Sequence, residues 1–179
     1  YQSGYLTLKN YVDEFDSFVL GFPNREVEHG FYKYLLPFYA PKHREKVRFS
    51  ISKFVGDVEQ GKAEYFMRRL EDFFATGDYE VVGDTEKYFQ NTLFVFFRLM
   101  GLYVKVEYRT ANGRIDIVMQ TSHFAYILEL KINKTANEAL QQIEEKGYAL
   151  PFANDKRKIF KVGINFSTET KLIDDWLIV

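Results

Sequence analysis

The 179-residue chain contains no cysteine. Disulfide bridges and thiolate-ligated metal centres are therefore excluded. No apolar run approaches the roughly 18 residues that a membrane-spanning helix needs, and no basic-then-apolar leader precedes a cleavage site. The chain accordingly reads as soluble and cytoplasmic, with no membrane partner. Charge of one sign is missing too, because 24 Lys and Arg stand against 25 Asp and Glu, a formal net charge of −1. That balance argues against a dedicated DNA-binding protein, whose affinity comes from neutralising phosphates. It leaves room for an enzyme that gathers basic residues locally around an acidic metal centre. There is no Gly-x-x-x-x-Gly-Lys-Ser/Thr loop, so the chain is not expected to bind ATP itself. His29, His43 and His123 are scattered and form neither a zinc-type spacing nor a Ser-His-Asp arrangement.

Apolar side chains are plentiful. They make up 46% of residues, with an aromatic fraction of 18%, enough for a substantial core in one domain or in one domain with an extension. The first residue is Tyr1 rather than Met, which reads as a fragment of a longer product.

Two features between Val106 and Leu150 organise the rest. Asp116 stands inside an apolar β-type run, and Glu129 and Lys131 form a Glu-x-Lys at the end of the next. Charged groups inside hydrophobic strands are costly unless paired or bound to metal. Ala111-Asn112-Gly113 and Gln120-Thr121-Ser122-His123 are turn signals, so 114–119 and 124–131 read as antiparallel neighbours. Alternation then places Arg114, Asp116 and Val118 on one face, and Ile127, Glu129 and Lys131 on one face of the next strand. In matching register the two carboxylates meet. With a backbone carbonyl they suit a hard divalent cation such as Mg²⁺, and Lys131 can hold a water or a phosphate oxygen beside it.

Around this motif, segments 5–9 and 17–22 read as a small hairpin. A helix capped by Asn24 follows, with Val27, Phe31, Tyr34/Leu35 and Phe38 at helical spacing. The basic run 42–48 opens another helix, and its default reading is a solvated face, with a nucleic-acid contact as the alternative. Glu59 to Ala75 is amphipathic through Phe66, Leu70 and Phe73/Phe74. Asp84 or Thr85 caps a helix that buries Phe89, Leu93, Phe96/Phe97 and Met100. Leu102 to Arg109 reads as the first core strand, paired with 114–119. A helix over 135–150, capped by Thr135, is expected to bury Ala136, Ala139/Leu140, Ile143, Gly147 and Leu150, with Gln142 bordering the stripe and Gln141 one residue of rotation away. Strands 159–166 and 171–179 close the chain. The first returns parallel to 124–131, and the second is an edge strand with Trp176 inward. Arg114 reads as an internal ion-pair partner ahead of a substrate contact, His29 as a surface or satisfied histidine ahead of a catalytic one, and Lys156-Arg157-Lys158 as a solvated loop, with a hold on a phosphate backbone as the alternative.

The acidic residue, the Glu-x-Lys and the following helix resemble the PD-(D/E)XK nuclease superfamily. The residues that carry the likeness are Gly113-Arg114-Ile115-Asp116-Ile117-Val118, Leu128-Glu129-Leu130-Lys131 and the stretch from Glu138 to Ala149. Together they look like the subgroup found behind an AAA-ATPase-like domain in bacterial proteins, and Tyr1 to Leu6 looks like the joining segment. The resemblance implies an α/β fold, a restriction-endonuclease-like core with a central mixed β-sheet flanked by helices, plus an N-terminal helical extension. It divides the chain into a linker hairpin (1–22), a helical subdomain (23–80) and the nuclease-like core (81–179). It also implies Mg²⁺ or Mn²⁺ held by Asp116, Glu129 and the Leu130 carbonyl, with Glu86 as a further acidic residue. Lys131 and Gln142 complete the site, and Lys146 and Tyr148 lie nearby. Implied partners are nucleic acid, DNA above all, and an ATPase-like domain in the same longer chain. The alternatives are a binding module of the same fold without turnover, or a purely structural ion-pair cluster in a domain for protein contacts.

Overall fold

The computed structural model describes residues 4–39, 46–75, 85–99 and 103–179; the side chains of 15, 36–39, 46–52, 85, 86, 99, 103, 104 and 106 lie outside that description. Strands β1 (Thr7–Val12) and β2 (Ser17–Gly21) form an antiparallel hairpin. The first strand runs beyond residue 9, where the sequence reading ended it. Tyr11 packs on Phe18 at 4.9 Å between ring centres and donates to Asp16 Oδ1 at 2.6 Å, so the turn is pushed out to a 3₁₀ turn at Asp13–Phe15.

Helix α1 (Arg25–Tyr39) begins as expected, with Asn24 Oδ1 accepting the Val27 N–H at 2.9 Å. Among its described side chains Tyr32 is the buried one, while Tyr34 is exposed. His29 is exposed as well, in keeping with its surface reading. Helices α2 (Lys46–Glu59) and α3 (Ala63–Ala75) follow. Glu59 therefore ends one helix rather than beginning the next. Gly61 takes the left-handed conformation at φ +71° between them, and the Phe124 ring occupies the space a side chain would need. Arg69 Nε meets Asp57 Oδ2 at 2.5 Å and ties the two helices together. The α3 stripe Phe66, Leu70, Phe73 and Phe74 is buried as predicted. Helix α4 (Thr85–Leu99) buries Phe89, Leu93, Phe96 and Phe97. Asp84, Met100, Leu102, Lys42 and His43 lie outside the described residues.

The core is a five-stranded mixed sheet built from β3 (Tyr103–Thr110), β4 (Gly113–Gln120), β5 (Phe124–Ile132), β6 (Lys158–Phe166) and β7 (Ile173–Ile178), in that spatial order. Only β5 and β6 are parallel, joined through helix α5 (Ala136–Glu145). Period-two alternation gives each strand two apolar faces. Ile117, Met119, Tyr126, Leu128 and Val162 pack in the layer with α3 and α4; Val118, Ala125 and Ile127 pack with Ile143, Tyr148 and Phe152 on the other side. The expected α/β architecture, a mixed sheet flanked by helices, is the one observed. Trp176 packs inward from the β7 edge.

Helix α5 is shorter than the 135–150 expected. Lys146 caps it and Gly147 at φ +59° turns the chain out of it. Leu150 is consequently 67% exposed, and Tyr148 takes the inner position instead.

Candidate functional site

The site lies where β4 leaves β5. Backbone pairing between them runs from Gln120↔Ala125 to Ile117↔Leu128 and goes no further, while β5 continues beside β6 as far as Ile132↔Phe166. At the same level Glu107 on β3 has φ +50° and is skipped between Val106↔Ile117 and Tyr108↔Ile115. A left-handed residue inside a strand kinks it. The alternation of β4 breaks with it, and Ile115 joins Val118 in the α5-side core instead of Ile117 on the opposite face. Asp116 sits at the break. With the ladder open, the Leu130 N–H is met by a side chain, Asp116 Oδ2, at 2.8 Å. N–H and C=O of one residue leave an extended strand on the same side, so the Leu130 carbonyl opens toward the same gap.

Glu129 and Lys131 face α5. Lys131 Nζ is 3.2 Å from Glu129 Oε1 and donates to Gln142 Oε1 at 2.6 Å, while Gln142 Nε2 donates back to Glu129 Oε1. Gln142 thus bridges both members of the Glu-x-Lys. Gln141 points away and donates to Glu145 Oε1 at 2.6 Å. The helix rotation left open by the sequence therefore presents Gln142 to the cluster. Two sequence features fix that presentation: the Thr135 hydroxyl accepts the Glu138 N–H at 3.1 Å as the helix cap, and Gly163, registered with Glu129, leaves no side chain between α5 and the sheet.

The Glu129 side chain is 3% exposed and that of Lys131 16%. Burial, and then the negative charge of Asp116, push the Glu129 carboxyl up to about 7, against the opposing pull of Lys131. Its second oxygen, Oε2, is buried without a hydrogen-bond partner among the described residues. A buried carboxylate with an unsatisfied oxygen beside a second carboxylate is short of positive charge. No three His, Cys, Asp or Glu side chains cluster for a metal among the described residues. The oxygen donors available are the two carboxylates and the Leu130 carbonyl, a hard set that fits Mg²⁺ or Mn²⁺ and not a thiophilic ion.

The remaining sequence candidates separate. The Glu86 side chain lies outside the described residues. Arg114 does pair with Glu107 at 3.2 Å, but both side chains are about 60% exposed, so the pair is not internal as expected; the kink at Glu107 turns it outward. Lys146 is exposed beyond the helix end, and Tyr148 is buried against Gly113. The 156–158 triplet is not a simple solvated loop. Arg157 is pinned by Asp155 and donates to the Thr121 carbonyl at 3.2 Å, and the Lys158 ammonium lies 4.5 Å from the Phe160 ring centre. The sequence reading overlooked Asn165 and Asp175, polar groups at the same end of the sheet. Asn165 is one of only two polar, uncharged residues buried among those described, and its place in the apolar run of β6 was the available signal.

The sequence agrees with this geometry. Residues 84–176, just over half of the chain, match the PD-(D/E)XK nuclease superfamily. The chain is also 25% identical over 185 residues to a protein of Azotobacter chroococcum mcd 1 described as an uncharacterized protein in the vnfD 5′ region. That similarity covers 97% of this chain and 35% of the relative, so the chain spans about a third of the relative's length. No solved structure matches it. With an acidic strand residue, a Glu-x-Lys on its neighbour and a glutamine from the next helix gathered in the matched region, the chain belongs to the PD-(D/E)XK nuclease superfamily.

Proposed function

We propose that this chain is a divalent-metal-dependent phosphodiesterase domain that hydrolyses nucleic acid, DNA above all. The observation that carries the reading is the buried Glu129 Oε2 beside Asp116, without a hydrogen-bond partner among the described residues, with Lys131 and Gln142 held against the same carboxylate. Asp116, Glu129 and the Leu130 carbonyl would hold Mg²⁺ or Mn²⁺. The bound cation supplies charge stabilisation at the scissile phosphate and a more acidic water, an effect of several kcal/mol. Lys131, kept at the cluster by Gln142, orients the attacking water or neutralises a phosphate oxygen. Gln142 fixes the direction of the ammonium. Glu86, from the first turn of α4, is the further acidic residue of this reading.

In a longer polypeptide the domain would follow an AAA-ATPase-like domain in a cytoplasmic protein. Residues 1–22 would form the connection, 23–80 a helical subdomain and 81–179 the nuclease core. The small share of the relative's length that the chain spans supports a larger whole.

The test is cleavage of a panel of single- and double-stranded DNA and RNA with Mg²⁺ or Mn²⁺, run beside Lys131→Ala. Metal-dependent cleavage that disappears in the variant is expected. Cleavage of none of the substrates, or cleavage undiminished in Lys131→Ala, would overturn the proposal.

A further inference from the structure

The residues that touch Lys131 and Glu129 are held by a second set of polar groups that the reaction does not use. Lys131, Asn165 and Asp175 lie side by side in register on β5, β6 and β7. Asn165 is 1% exposed, and its Oδ1 accepts the Lys134 N–H at 2.9 Å, just ahead of α5. Asp175 Oδ2 accepts the N–H of Ala136, the first residue of the helix, at 3.0 Å, while its other oxygen is buried without a partner among the described residues. A β-carbon at Gly163 would collide with the Ala136 carbonyl oxygen. Three neighbouring points of the sheet therefore grip the start of α5.

Packing alone does not require this. A buried amide and a half-satisfied carboxylate beside the helix start cost free energy that aliphatic side chains would not. What the grip defines is the position of the helix along and about its axis. Gln142 lies six residues beyond Ala136, roughly 9 Å along the helix, and one residue of rotation, about 100°, would bring the exposed Gln141 toward the sheet in its place. Only in the observed setting does one amide accept from Lys131 and donate to Glu129.

We infer that Asn165 and Asp175 are positioning residues of the nuclease site, acting through α5 to hold Gln142 between Glu129 and Lys131. The inference rests on the proposed function for its kinetic readout and on the structure alone for its spectroscopic one. Asn165→Ala and Asp175→Ala should each lower kcat about ten- to a hundred-fold, the scale of a small misplacement of reacting groups, with little change in KM. Neither should lower it further in a Gln142→Ala background. Asp175→Asn, which keeps an acceptor for the Ala136 N–H, should restore most of the rate and serves if the alanine variants do not fold. Independently, the side-chain amide resonances of Gln142 in ¹⁵N spectra should move to free-amide positions in Asn165→Ala and stay put in Asp175→Asn. Effects that multiply with Gln142→Ala, or a Gln142 amide signal that the Asn165→Ala change leaves in place, would overturn the inference. An unaltered protein that cleaves nothing would end the nuclease reading, and the amide signal would still decide whether α5 is held in this way.

Discussion

At the scale of single residues, Glu129 carries the clearest physical signature. Its carboxyl is raised from the ordinary value to about 7 by burial and by Asp116. A group that binds its proton more tightly in the folded state contributes stability that is full below the unfolded pKa, near 4.5, and is lost as pH rises through about 7. The metal-free protein should therefore lose on the order of 3 kcal/mol between pH 5 and pH 8. Denaturant midpoints across that window should fall for the unaltered chain and stay level for Glu129→Gln. Saturating Mn²⁺ should remove the decline by supplying the missing positive charge. A midpoint independent of pH in the unaltered protein would remove the electrostatic ground for a cation here. Asp116, Glu129 and Lys131 were legible in the sequence because a charge inside an apolar strand breaks the pattern around it. Arg114 departs from its internal reading for a local reason: its partner Glu107 has a left-handed φ of +50°, and no periodicity announces a single left-handed residue inside a strand.

At the scale of elements, the seating of α5 on the sheet decides whether the cluster forms. Gly163→Ala would drive a methyl into the Ala136 carbonyl and against the Ala139 and Leu140 side chains at 3.1 Å. Backbone does not yield as a flexible side chain would, so the change should cost about 1–3 kcal/mol and lift the helix from β6. Thermal unfolding measures the first effect, and loss of the Gln142 amide shift measures the second. Strand order, the parallel crossover and the Thr135 cap could all be read from the chain, because alternation and capping chemistry are local. The end of α5 could not. Leu150 falls at helical spacing, yet Gly147 redirects the backbone first, and Tyr148 fills the core in its place. Likewise the amphipathic run from Glu59 conceals a helix break that depends on Phe124, a residue far along the chain, lying over Gly61.

At the scale of the molecule, aromatic contacts and a buried hydrogen bond join the N-terminal helices to the sheet. Phe89 stacks on Phe166 at 4.2 Å, and the buried Tyr126 hydroxyl donates to the Val58 carbonyl at 2.7 Å across 68 residues of sequence. Burial lifts the Tyr126 pKa well above its ordinary value, so the hydroxyl keeps its proton for that bond. Tyr126→Phe should remove the shorter of two bonds to the Val58 carbonyl, which keeps the Gly61 N–H at 3.3 Å, and lower stability by about 0.5–1.5 kcal/mol, with an unchanged far-ultraviolet spectrum. A single unfolding transition shifted as a whole is expected, whereas a new early transition would mean that the helices and the sheet melt separately. Finally, Asp116 is a peg of the architecture as well as a metal ligand in the proposed chemistry, since it closes the gap that the strands leave at Leu130. Silencing position 116 with alanine would unzip the sheet beside the wound it makes, and a dead enzyme made that way would testify to both injuries at once. Asparagine, which still accepts the Leu130 amide, is the cleaner scalpel.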